Sequence, residues 1–442
     1  MFTVVGGTYR EICYEPEWNQ LFGSGLRAAI AASAIVVEAA TRPVKLITWE
    51  CQDEHPELHL RAESFGVEVD IRNRGEPIEF QYEHGLSDPM NSPGIESLTR
   101  VSPVDLDLET ALMFGLIEDR LPESSRNNVT VNAKTLVYDP QSKNRSIPWS
   151  KTGSHADRLA IVANFAEAEA MARRLKLKPD QGNWDASKLA KSLLQAEKAE
   201  VVIVKKQAEG AFVTTEHDAH HVCSYKSETV FPFGSGDVFS GVFAAYWAVM
   251  GADPVEAAQR ASAAAAYYCN SRILPIPFDP DEVLAGVTPH KIPVGSDGRP
   301  EGMVYIAGPL FNFQQRWFIE EVKRCLEENG VRTFSPFHAV GTKGKPEEIA
   351  KADIDGLLEC SAVFGIVDGL DAGTMFEIGY AVAHDIPVFA FAQCTSDSDV
   401  LMVAGSPGCR VYRDFPTAVY HAAWKALESP KALVGQRHLS TE

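Results

Sequence analysis

The sequence predicts an α/β protein with two domains, each built on a mostly parallel sheet that is flanked by helices. Two observations support this prediction. In both halves of the 442-residue chain, short apolar runs that fit buried strands alternate with longer stretches that fit helices. Residues 288–302, which lie between the two series, hold three prolines and three glycines, as is typical of a linker. We predict a domain at 1–288, a linker at 289–302 and a domain at 303–442.

The bulk composition excludes several classes of partner. The formal net charge of −19 argues against non-specific binding to nucleic acid or to an anionic membrane. The eight cysteines form no CxxC pair, so no zinc site is indicated and we expect reduced thiols. No signal pattern follows Met1, and no apolar run reaches ~18 residues. We therefore expect a cytoplasmic protein that acts on small molecules.

Glycines, prolines and capping residues delimit the elements of the first domain. Gly23-Ser24-Gly25 opens an alanine-rich helix, and Asn164 caps the helix that follows a strand. Two short segments that flank a turn, 67–70 and 78–82, are predicted to form a hairpin. The predicted strands are 2–5, 44–49, 67–70, 78–82, 135–138, 158–163, 201–205 and 211–214, and the predicted helices are 26–40, one after Asn164, 238–250 and 254–270.

The second domain centres on residues 362–384, AVFGIVDGLDAGTMFEIGYAVAH. An apolar run fit for a buried strand leads into a turn-rich loop and then a helix, for which Thr374 is the predicted cap. Asp371 in the loop and Glu377 in the helix would lie beyond the carboxyl end of that strand, where open α/β sheets bind ligands. The predicted strands are 303–307, 331–334, 362–367 and 387–391, and the predicted helices are 314–329, 346–359, one after Thr374 and 416–427.

One motif of the first domain combines a glycine-rich helix start with a carboxylate, Gly234-Ser235-Gly236-Asp237. Backbone N–H groups and the helix dipole at such a start suit an anion. The aspartate can accept the proton of an attacking hydroxyl in phosphoryl transfer. The alternative is a plain glycine turn with an aspartate in the first helical turn, because short glycine motifs are weak signals.

Residues 1 to about 288 resemble the ribokinase-like (PfkB-type) sugar and nucleoside kinases. The resemblance rests on that turn, Gly23-Ser24-Gly25, Asp139-Pro140, the N-x-x-E spacing of Asn164 and Glu167, and Gly210 in the 201–213 hairpin. It implies that Asp237 is the catalytic base and that Gly234, Ser235 and Gly236 bind the phosphate. It also implies ATP and Mg as cofactors of an active domain, with Asn164 and Glu167 near the Mg and phosphates, although no metal ligand set is assigned.

The first domain departs from the kinase pattern at three places. Phe231-Pro232 stands where the family usually has Asp-Thr, and Glu11 replaces the aspartate that grips the sugar. Arg27 or Ala28 lies near the position of an expected asparagine. Two interpretations therefore stay open: a kinase of a sugar or nucleoside, and a degenerate kinase fold that acts as a sensor or scaffold.

The residue types of the second domain suit the cleavage of an N-glycosidic bond. Such a bond breaks through an oxocarbenium-like state, so Glu377 on a rigid helix can act as nucleophile at C1′. Tyr305 can orient Glu377 by a hydrogen bond. The departing base needs a proton, which Asp371 or Asp353 can deliver. The plainer alternatives are a core tyrosine, a solvated helix charge at Asp353 and an aspartate that only shapes the turn.

Residues of about 303–425 resemble the nucleoside 2-deoxyribosyltransferases. The resemblance rests on five segments that occur in the expected order: VYIAGPLF at 304–311, SP at 335–336, ADI at 352–354, DAGT at 371–374 and EIGYA at 377–381. The resemblance implies that Glu377 is the nucleophile, that Asp371 handles the base and that Asp353 contacts sugar or base. It implies a flavodoxin- or Rossmann-like fold, no cofactor and a homo-oligomer, because Leu401-Met402 matches a segment that crosses to a neighbouring subunit. The residues predicted to bind substrate are Gly308, Pro309, Gly373, Met402 and, in the first domain, Glu11.

The combined prediction is an enzyme that cleaves or exchanges the N-glycosidic bond of a (deoxy)nucleoside or nucleotide, fused to a kinase-like domain. Its ligands would be small molecules, namely a nucleoside or nucleotide and a sugar, with no nucleic acid and no membrane. The alternative is a nucleotide-depleting N-glycosidase that the first domain regulates. His338 is predicted to be structural, because a lone histidine is a weak signal of a site.

Overall fold

The computed structural model describes residues 1–40, 42–119, 127–142, 145–179, 182–292, 302–341 and 345–428. The chain divides into two compact units. The N-terminal unit comprises Met1–Lys206 and Gly210–Pro289, and the C-terminal unit comprises Gln207–Glu209 and His290–Glu442. Most of the predicted linker, 293–301, lies outside the described residues, so the predicted boundaries stay predictions.

The N-terminal unit is α/β. Its strands are β1 Phe2–Val5, β2 Arg10–Cys13, β3 Trp18–Leu21, β4 Val44–Glu50, β5 Val67–Asn73, β6 Glu79–Tyr82, β7 Met90–Ser92, β8 Val104–Phe114, β9 Val129–Asp139, β10 His155–Asn164, β11 Val201–Lys205, β12 Ala211–Thr215, β13 Ala219–Val222, β14 Tyr225–Ser227 and β15 Val287–Pro289. Its helices are α1 Gly23–Ala40, α2 His55–Ser64, α3 Phe165–Arg174, α4 Ala186–Glu197, α5 Ser235–Ala244, α6 Pro254–Ser271 and α7 Pro280–Leu284, and a π-helical turn at Ala245–Val249 extends α5.

Within the described residues, nine strands form the large sheet in the order β13-β12-β11-β10-β9-β8-β1-β4-β5. The seven strands from β11 to β5 in this order run parallel, and β12 is antiparallel to both of its neighbours. In this register the last residues of β9, β10 and β11 reach the same edge of the sheet, which places Asp139, Asn164 and Lys205 there. This is the edge at which parallel sheets bind ligands.

Apolar layers cover both faces of the large sheet. Leu26 of α1 and Val242 of α5 belong to the layer on one face, with Val4 of the sheet. Met171 of α3 and Leu189 of α4 belong to the layer on the other, with Val5. Adjacent strand residues therefore point to opposite helical layers, which explains why these strands read as continuous apolar runs.

The predicted hairpin at 67–70 and 78–82 is wrong. β5 pairs in parallel with β4 over seven residues at the edge of the large sheet. β6 belongs instead to a separate four-stranded sheet of order β3-β2-β6-β7, where it lies parallel to β2. The chain leaves β5 at Arg74, whose buried guanidinium forms ion pairs with Glu50 and Glu118, so the two segments diverge instead of turning back on each other.

The C-terminal unit is also α/β. Its elements are β16 Met303–Ala307, β17 Arg332–Phe334, β18 Ala362–Ile366, β19 Val388–Phe391 and β20 Cys409–Tyr412, with α8 Phe313–Glu328, α9 Pro336–Ala339, α10 Pro346–Glu359, α11 Ala372–Ala383, α12 Leu401–Gly405 and α13 Phe415–Glu428.

The described strands of this unit form one sheet, in the order β17-β16-β18-β19-β20 with all pairs parallel. This is the 2-1-3-4-5 order of flavodoxin-like folds. Helices α10 and α11 contribute to an apolar layer with Tyr305 and Val363. Aromatic rings of α8 and of the sheet cluster around Phe415 of α13.

Both units thus have mostly parallel sheets flanked by helices, which confirms the predicted fold class. Among the described helices, none has the length and apolar character needed to cross a membrane.

Candidate active sites

The centre of the C-terminal site is a hydrogen bond between a buried tyrosine and a glutamate. Tyr305 of β16 donates its hydroxyl to Glu377 Oε1 of α11 at 2.7 Å. The Tyr305 ring is fully buried and stacks on Phe334, with ring centroids 5.5 Å apart. The tyrosine therefore holds the carboxylate in one orientation. This pairing was predicted from the sequence.

The electrostatic surroundings of Glu377 favour its neutral form. Burial raises the pKa of Glu377 to about 7, the hydrogen bond from Tyr305 lowers it, and the charges of Asp353 and Asp371 raise it further. Burial also raises the pKa of Tyr305, which therefore stays a donor at neutral pH. Ionised Glu377 in this site has lost much of its hydration, which makes it a better nucleophile than a solvated carboxylate.

Glu377 faces a cavity of about 440 Å³. Polar groups in the described lining are few and include Tyr305, Asp353 and Glu377. The apolar wall was not predicted from the sequence, although its members recur at spacings of three to five residues along two helices. This wall is formed by Ile349, Ile354 and Leu357 of α10 and by Phe376 and Tyr380 of α11. A largely apolar cavity with a few directed polar groups suits a flat heterocycle attached to a sugar.

Asp353 lines this cavity, and one of its oxygens lacks a hydrogen-bond partner among the described residues. This atom, Oδ1, is buried. Burial raises the pKa of Asp353 above its ordinary value. This burial favours the protonated carboxyl, so Asp353 can carry a proton beside the cavity.

Asp371 caps helix α11, and the predicted cap at Thr374 is wrong. Asp371 Oδ2 accepts hydrogen bonds from the backbone N–H and the hydroxyl of Thr374, at 2.8 and 3.0 Å. The helix begins at Ala372, so Thr374 lies in its first turn. Among the described residues, Asp371 is not part of the cavity lining, but its charge acts on Glu377. Its role toward the base stays a prediction.

The predicted substrate-binding residues of this unit are spread around the site. Gly373 lines the cavity, whereas Gly308 and Pro309 follow β16 without being part of the described lining. Gly308 is held against Ile366, whose Cδ1 would lie 2.8 Å from an added Cβ. Met402 on α12 is 81% exposed and away from the lining. His338 is bonded to Glu320 at 2.7 Å, in keeping with the structural alternative.

In the N-terminal unit, the glycine turn begins helix α5 as predicted. Gly234 is its N-cap, with a φ of 70°, which a residue with a side chain adopts only with strain. The backbone N–H of Ser235 donates to the Pro232 carbonyl at 3.1 Å and so is used within the turn. The N–H groups of Gly236 and Asp237 belong to the first helical turn, where the helix itself offers no acceptor.

Asp237 is bound to an arginine that the sequence analysis did not assign to the site. Arg27 of α1 donates Nη1 to Asp237 Oδ2 and to Glu11 Oε1, both at 2.9 Å, and Nη2 to the other oxygen of Glu11. Burial raises the pKa of Asp237 to about 6, with Arg27 lowering it and Glu11 and Asp139 raising it. Glu11, the predicted sugar contact, is thus engaged by Arg27.

A second ion pair lies beside the turn. Lys205 Nζ contacts Asp139 Oδ2 at 3.3 Å, and the hydroxyl of Ser240 donates to the same oxygen at 2.7 Å. Lys205 Nζ also lies close to Gly236, 3.4 Å from the position that a Cβ atom would occupy there. Gln141 Nε2 donates to Asp139 Oδ1 at 3.0 Å. Lys205 was not identified from the sequence, although a lysine that ends an apolar strand is a usable signal.

Asn164 and Glu167 form a capping box at the start of α3. Asn164 Oδ1 accepts from the N–H of Glu167 at 2.9 Å, and Glu167 Oε2 accepts from the N–H of Asn164 at 2.8 Å. Burial raises the pKa of Glu167 to about 7, with Asp139 raising it and Lys205 lowering it. The predicted cap at Asn164 is confirmed, and the N-x-x-E spacing has a local structural role in addition to the role implied by the resemblance.

Two family comparisons match different parts of the chain. The family described as "pfkB family carbohydrate kinase" matches residues 118–273, and the family described as "Nucleoside 2-deoxyribosyltransferase" matches residues 304–412. The first range includes the glycine turn and Lys205, and the second includes Tyr305, Asp353 and Glu377. No curated protein matches the chain.

Solved structures similar to this chain include three with kinase descriptions. A "pyrophosphate-dependent kinase in the ribokinase family complexed with a pyrophosphate analog and myo-inositol" is 15% identical, covers 64% of this chain and 100% of its own, and has a TM-score of 0.42. Ribokinase from Thermotoga maritima is 17% identical and covers 64% and 98%, with a TM-score of 0.43. Ribokinase from Giardia lamblia is 15% identical and covers 61% and 93%, with a TM-score of 0.43.

Proposed function

We propose that this chain, which contains a pfkB family carbohydrate kinase domain and a nucleoside 2-deoxyribosyltransferase domain, breaks the N-glycosidic bond of a (deoxy)nucleoside or nucleotide in its C-terminal unit. Both domains belong to enzyme families, and together they support a role in nucleoside metabolism. The observation that carries the proposal is the pair of Tyr305 and Glu377 at the side of a 440 Å³, mostly apolar cavity.

The proposed reaction has two steps. A Glu377 oxygen attacks C1′ of the sugar, the C1′–N bond breaks and the base leaves with a proton on its ring nitrogen. The ester between Glu377 and C1′ is then attacked by a second base, which gives transfer, or by water, which gives hydrolysis. In either case the attacking group loses a proton and Glu377 is released as a carboxylate.

Asp353 is the better candidate for the proton donor. It lines the cavity, its Oδ1 accepts no hydrogen bond from the described residues, and its raised pKa favours the protonated form that can donate. Asp371 is the second candidate, but its Oδ2 already accepts two hydrogen bonds from Thr374. The apolar wall formed by residues such as Ile354 and Phe376 would hold the base by contact with its flat faces.

The experiment that tests the proposal is chromatography of a panel of nucleosides and nucleotides after incubation with the full chain, with and without an acceptor base. Base release in both conditions would indicate hydrolysis, and new nucleosides only with the acceptor would indicate transfer. The absence of any turnover would contradict the proposal. The same panel with ribose and 2′-deoxyribose compounds would identify the preferred sugar.

Tyr305→Phe is expected to move the pH dependence of this reaction. Glu377 must be ionised to attack, so the rate should rise with pH through about 7. The hydrogen bond from Tyr305 lowers the pKa of Glu377, so its loss should move this limb to higher pH. A hydrogen bond to a charged group contributes ~1.5–3 kcal/mol, so the rate at pH 7 should fall roughly 10- to 100-fold.

The pH–rate profile of the Tyr305→Phe enzyme is the measurement that checks this. The phenylalanine keeps the ring that stacks on Phe334, so packing is preserved. A rate that falls equally at all pH values, with an unmoved limb, would show that Tyr305 acts on something other than the ionisation of Glu377.

The C-terminal unit is further proposed to work as a homo-oligomer, as the resemblance implies. Leu401 and Met402 on α12 are 68% and 81% exposed, which is costly for two adjacent large apolar side chains in a monomer. Met402→Asp is expected to reduce the mass measured by light scattering and to reduce base release with it. If wild type and Met402→Asp have the same mass by light scattering, this role for α12 is contradicted.

For the N-terminal unit, we propose binding of the phosphates of ATP at the glycine turn beside Lys205. The helix start and the ammonium are complementary to phosphate. Oxygen ligands suit Mg, which would offset the charge of the phosphates, and Glu167 at the same sheet edge would help to hold it. Lys205→Met removes the ammonium and is expected to weaken ATP binding. The measurement is the ATP affinity of the wild-type and variant full chains by isothermal titration calorimetry.

A further inference from the structure

The N-terminal unit has an arginine where a phosphate acceptor would have to lie. Arg27 is fully buried, and its guanidinium bridges Glu11 of β2 and Asp237 of α5. These three residues come from the four-stranded sheet, from α1 and from the glycine turn. The triad therefore closes the space between that sheet and the turn by ion pairs.

Aromatic rings fill the rest of this space. The Arg27 guanidinium lies 4.9 Å from the centroid of the Phe22 ring, and Phe22 in turn stacks with Trp18 at 6.0 Å. Trp18 also contacts Phe231, with ring centroids 4.9 Å apart. Phe231 belongs to the Phe231-Pro232 pair that departs from the kinase pattern, so the departures noted in the sequence meet around Arg27.

Asp237 cannot receive a proton from an acceptor hydroxyl while this triad is intact. Its Oδ2 accepts from Arg27, and its Oδ1 lies 3.4 Å from Gln141 Nε2. Arg27 lowers the pKa that burial gives Asp237, and it occupies the Oδ2 atom that would take the proton. Moreover, a Cβ on Gly234 would collide with Cδ, Nε and Cζ of Arg27, so the arginine lies directly against the turn.

The phosphate side of the turn, in contrast, keeps a cation. Lys205 Nζ lies next to Gly236 and forms an ion pair with Asp139. The helix start and this ammonium are complementary to a polyphosphate.

We propose that Arg27 seals the acceptor half of this site, so that the N-terminal unit binds a nucleoside triphosphate at the turn without passing its phosphoryl group to a polyol or nucleoside. The inference rests on the nucleotide binding proposed above for this unit. It makes the unit a nucleotide-binding module, and it makes Arg27 the residue that separates binding from transfer.

The test compares the full chain with a double variant, Glu11→Gln with Arg27→Met, which removes one charge of each sign and opens the space beside Asp237. Wild type is expected to bind ATP in titration calorimetry and to transfer no phosphate to ribose, 2-deoxyribose, myo-inositol or nucleosides. In the double variant, water can enter the opened space and attack the γ-phosphorus. ADP then leaves and Asp237 takes the proton, so ATP hydrolysis should rise at least about 10-fold.

The added substitution Asp237→Asn should abolish this gained hydrolysis. The control is Glu256→Gln with Arg260→Met, which removes a similar ion pair, 2.9 Å long, from the more exposed helix α6. Asp237-dependent transfer by wild type to any acceptor would overturn the inference but not the nucleotide binding. Absence of ATP binding would overturn both. A folded double variant that binds ATP and gains no hydrolysis would overturn the role of Arg27.

If the double variant does not fold, wild type alone decides the question. Each acceptor is titrated into the full chain saturated with a non-hydrolysable ATP analogue. No heat of binding from any acceptor supports a sealed site, and saturable binding of an acceptor overturns it.

Discussion

Glu377→Gln is expected to reduce base release from nucleosides by at least about 10³-fold, because an amide cannot form the ester with C1′. The change is nearly isosteric, and the amide oxygen can still accept the hydrogen bond from Tyr305. The cavity and the fold should therefore persist. The measurement is the initial rate of base release by chromatography, together with a thermal melt of each protein.

The matched control for this variant is Glu359→Gln, which removes an exposed carboxylate at the end of α10. It should leave the rate unchanged. Wild type quenched during turnover should also carry the mass of one glycosyl group on the peptide that contains Glu377. A glutamine variant that keeps more than a tenth of the rate would exclude Glu377 as the nucleophile.

Seven of the nine strands of the large sheet were predicted, and the central ones are buried on both faces and so read as apolar runs. β11, with the sequence VVIVK, is an example. The two strands that were not predicted are β8, whose first half alternates with charged residues, and the exposed β13. The small sheet could not be predicted in this way. β2 and β3 are only four residues long and mix polar with apolar residues, and β6 pairs with β2 across some 70 residues of chain. β20 was missed for the same reason, since its residues are partly exposed at a sheet edge.

The two candidate sites differ in how much the sequence indicates. Tyr305 and Glu377 are 72 residues apart, but each lies in a recognisable segment at a strand end or helix start. The contact of Arg27 with Asp237 joins residues 210 positions apart, and α1 shows no pattern that distinguishes Arg27 from a surface arginine. Its burial follows from the placement of the small sheet against the turn, which is a tertiary feature. The departures at Glu11 and Arg27 could be seen in the sequence, but the ion pair that joins them could not.

Asp353→Asn is expected to slow the release of natural bases by ~10²- to 10⁴-fold, the usual contribution of a positioned acid. The reason is specific to the leaving group. A purine or pyrimidine departs as a poor anion unless its ring nitrogen is protonated, and Asp353 is one of the few polar residues that line the cavity. Asparagine has the same shape but has no acidic proton to transfer to the base.

The decisive measurement is the rate with a 2-deoxyriboside of 4-nitrophenol, which leaves as a stable anion without protonation. Asp353→Asn should lose little of this rate, whereas Glu377→Gln should lose nearly all of it. Asp355→Asn, which removes an exposed carboxylate two residues along the same helix, is the matched control and should behave as wild type. If Asp371→Asn shows the leaving-group dependence and Asp353→Asn does not, the helix cap is the acid. Asp353 would then be a contact to the sugar or the base, and proton transfer would have to come from the carboxyl that also positions α11.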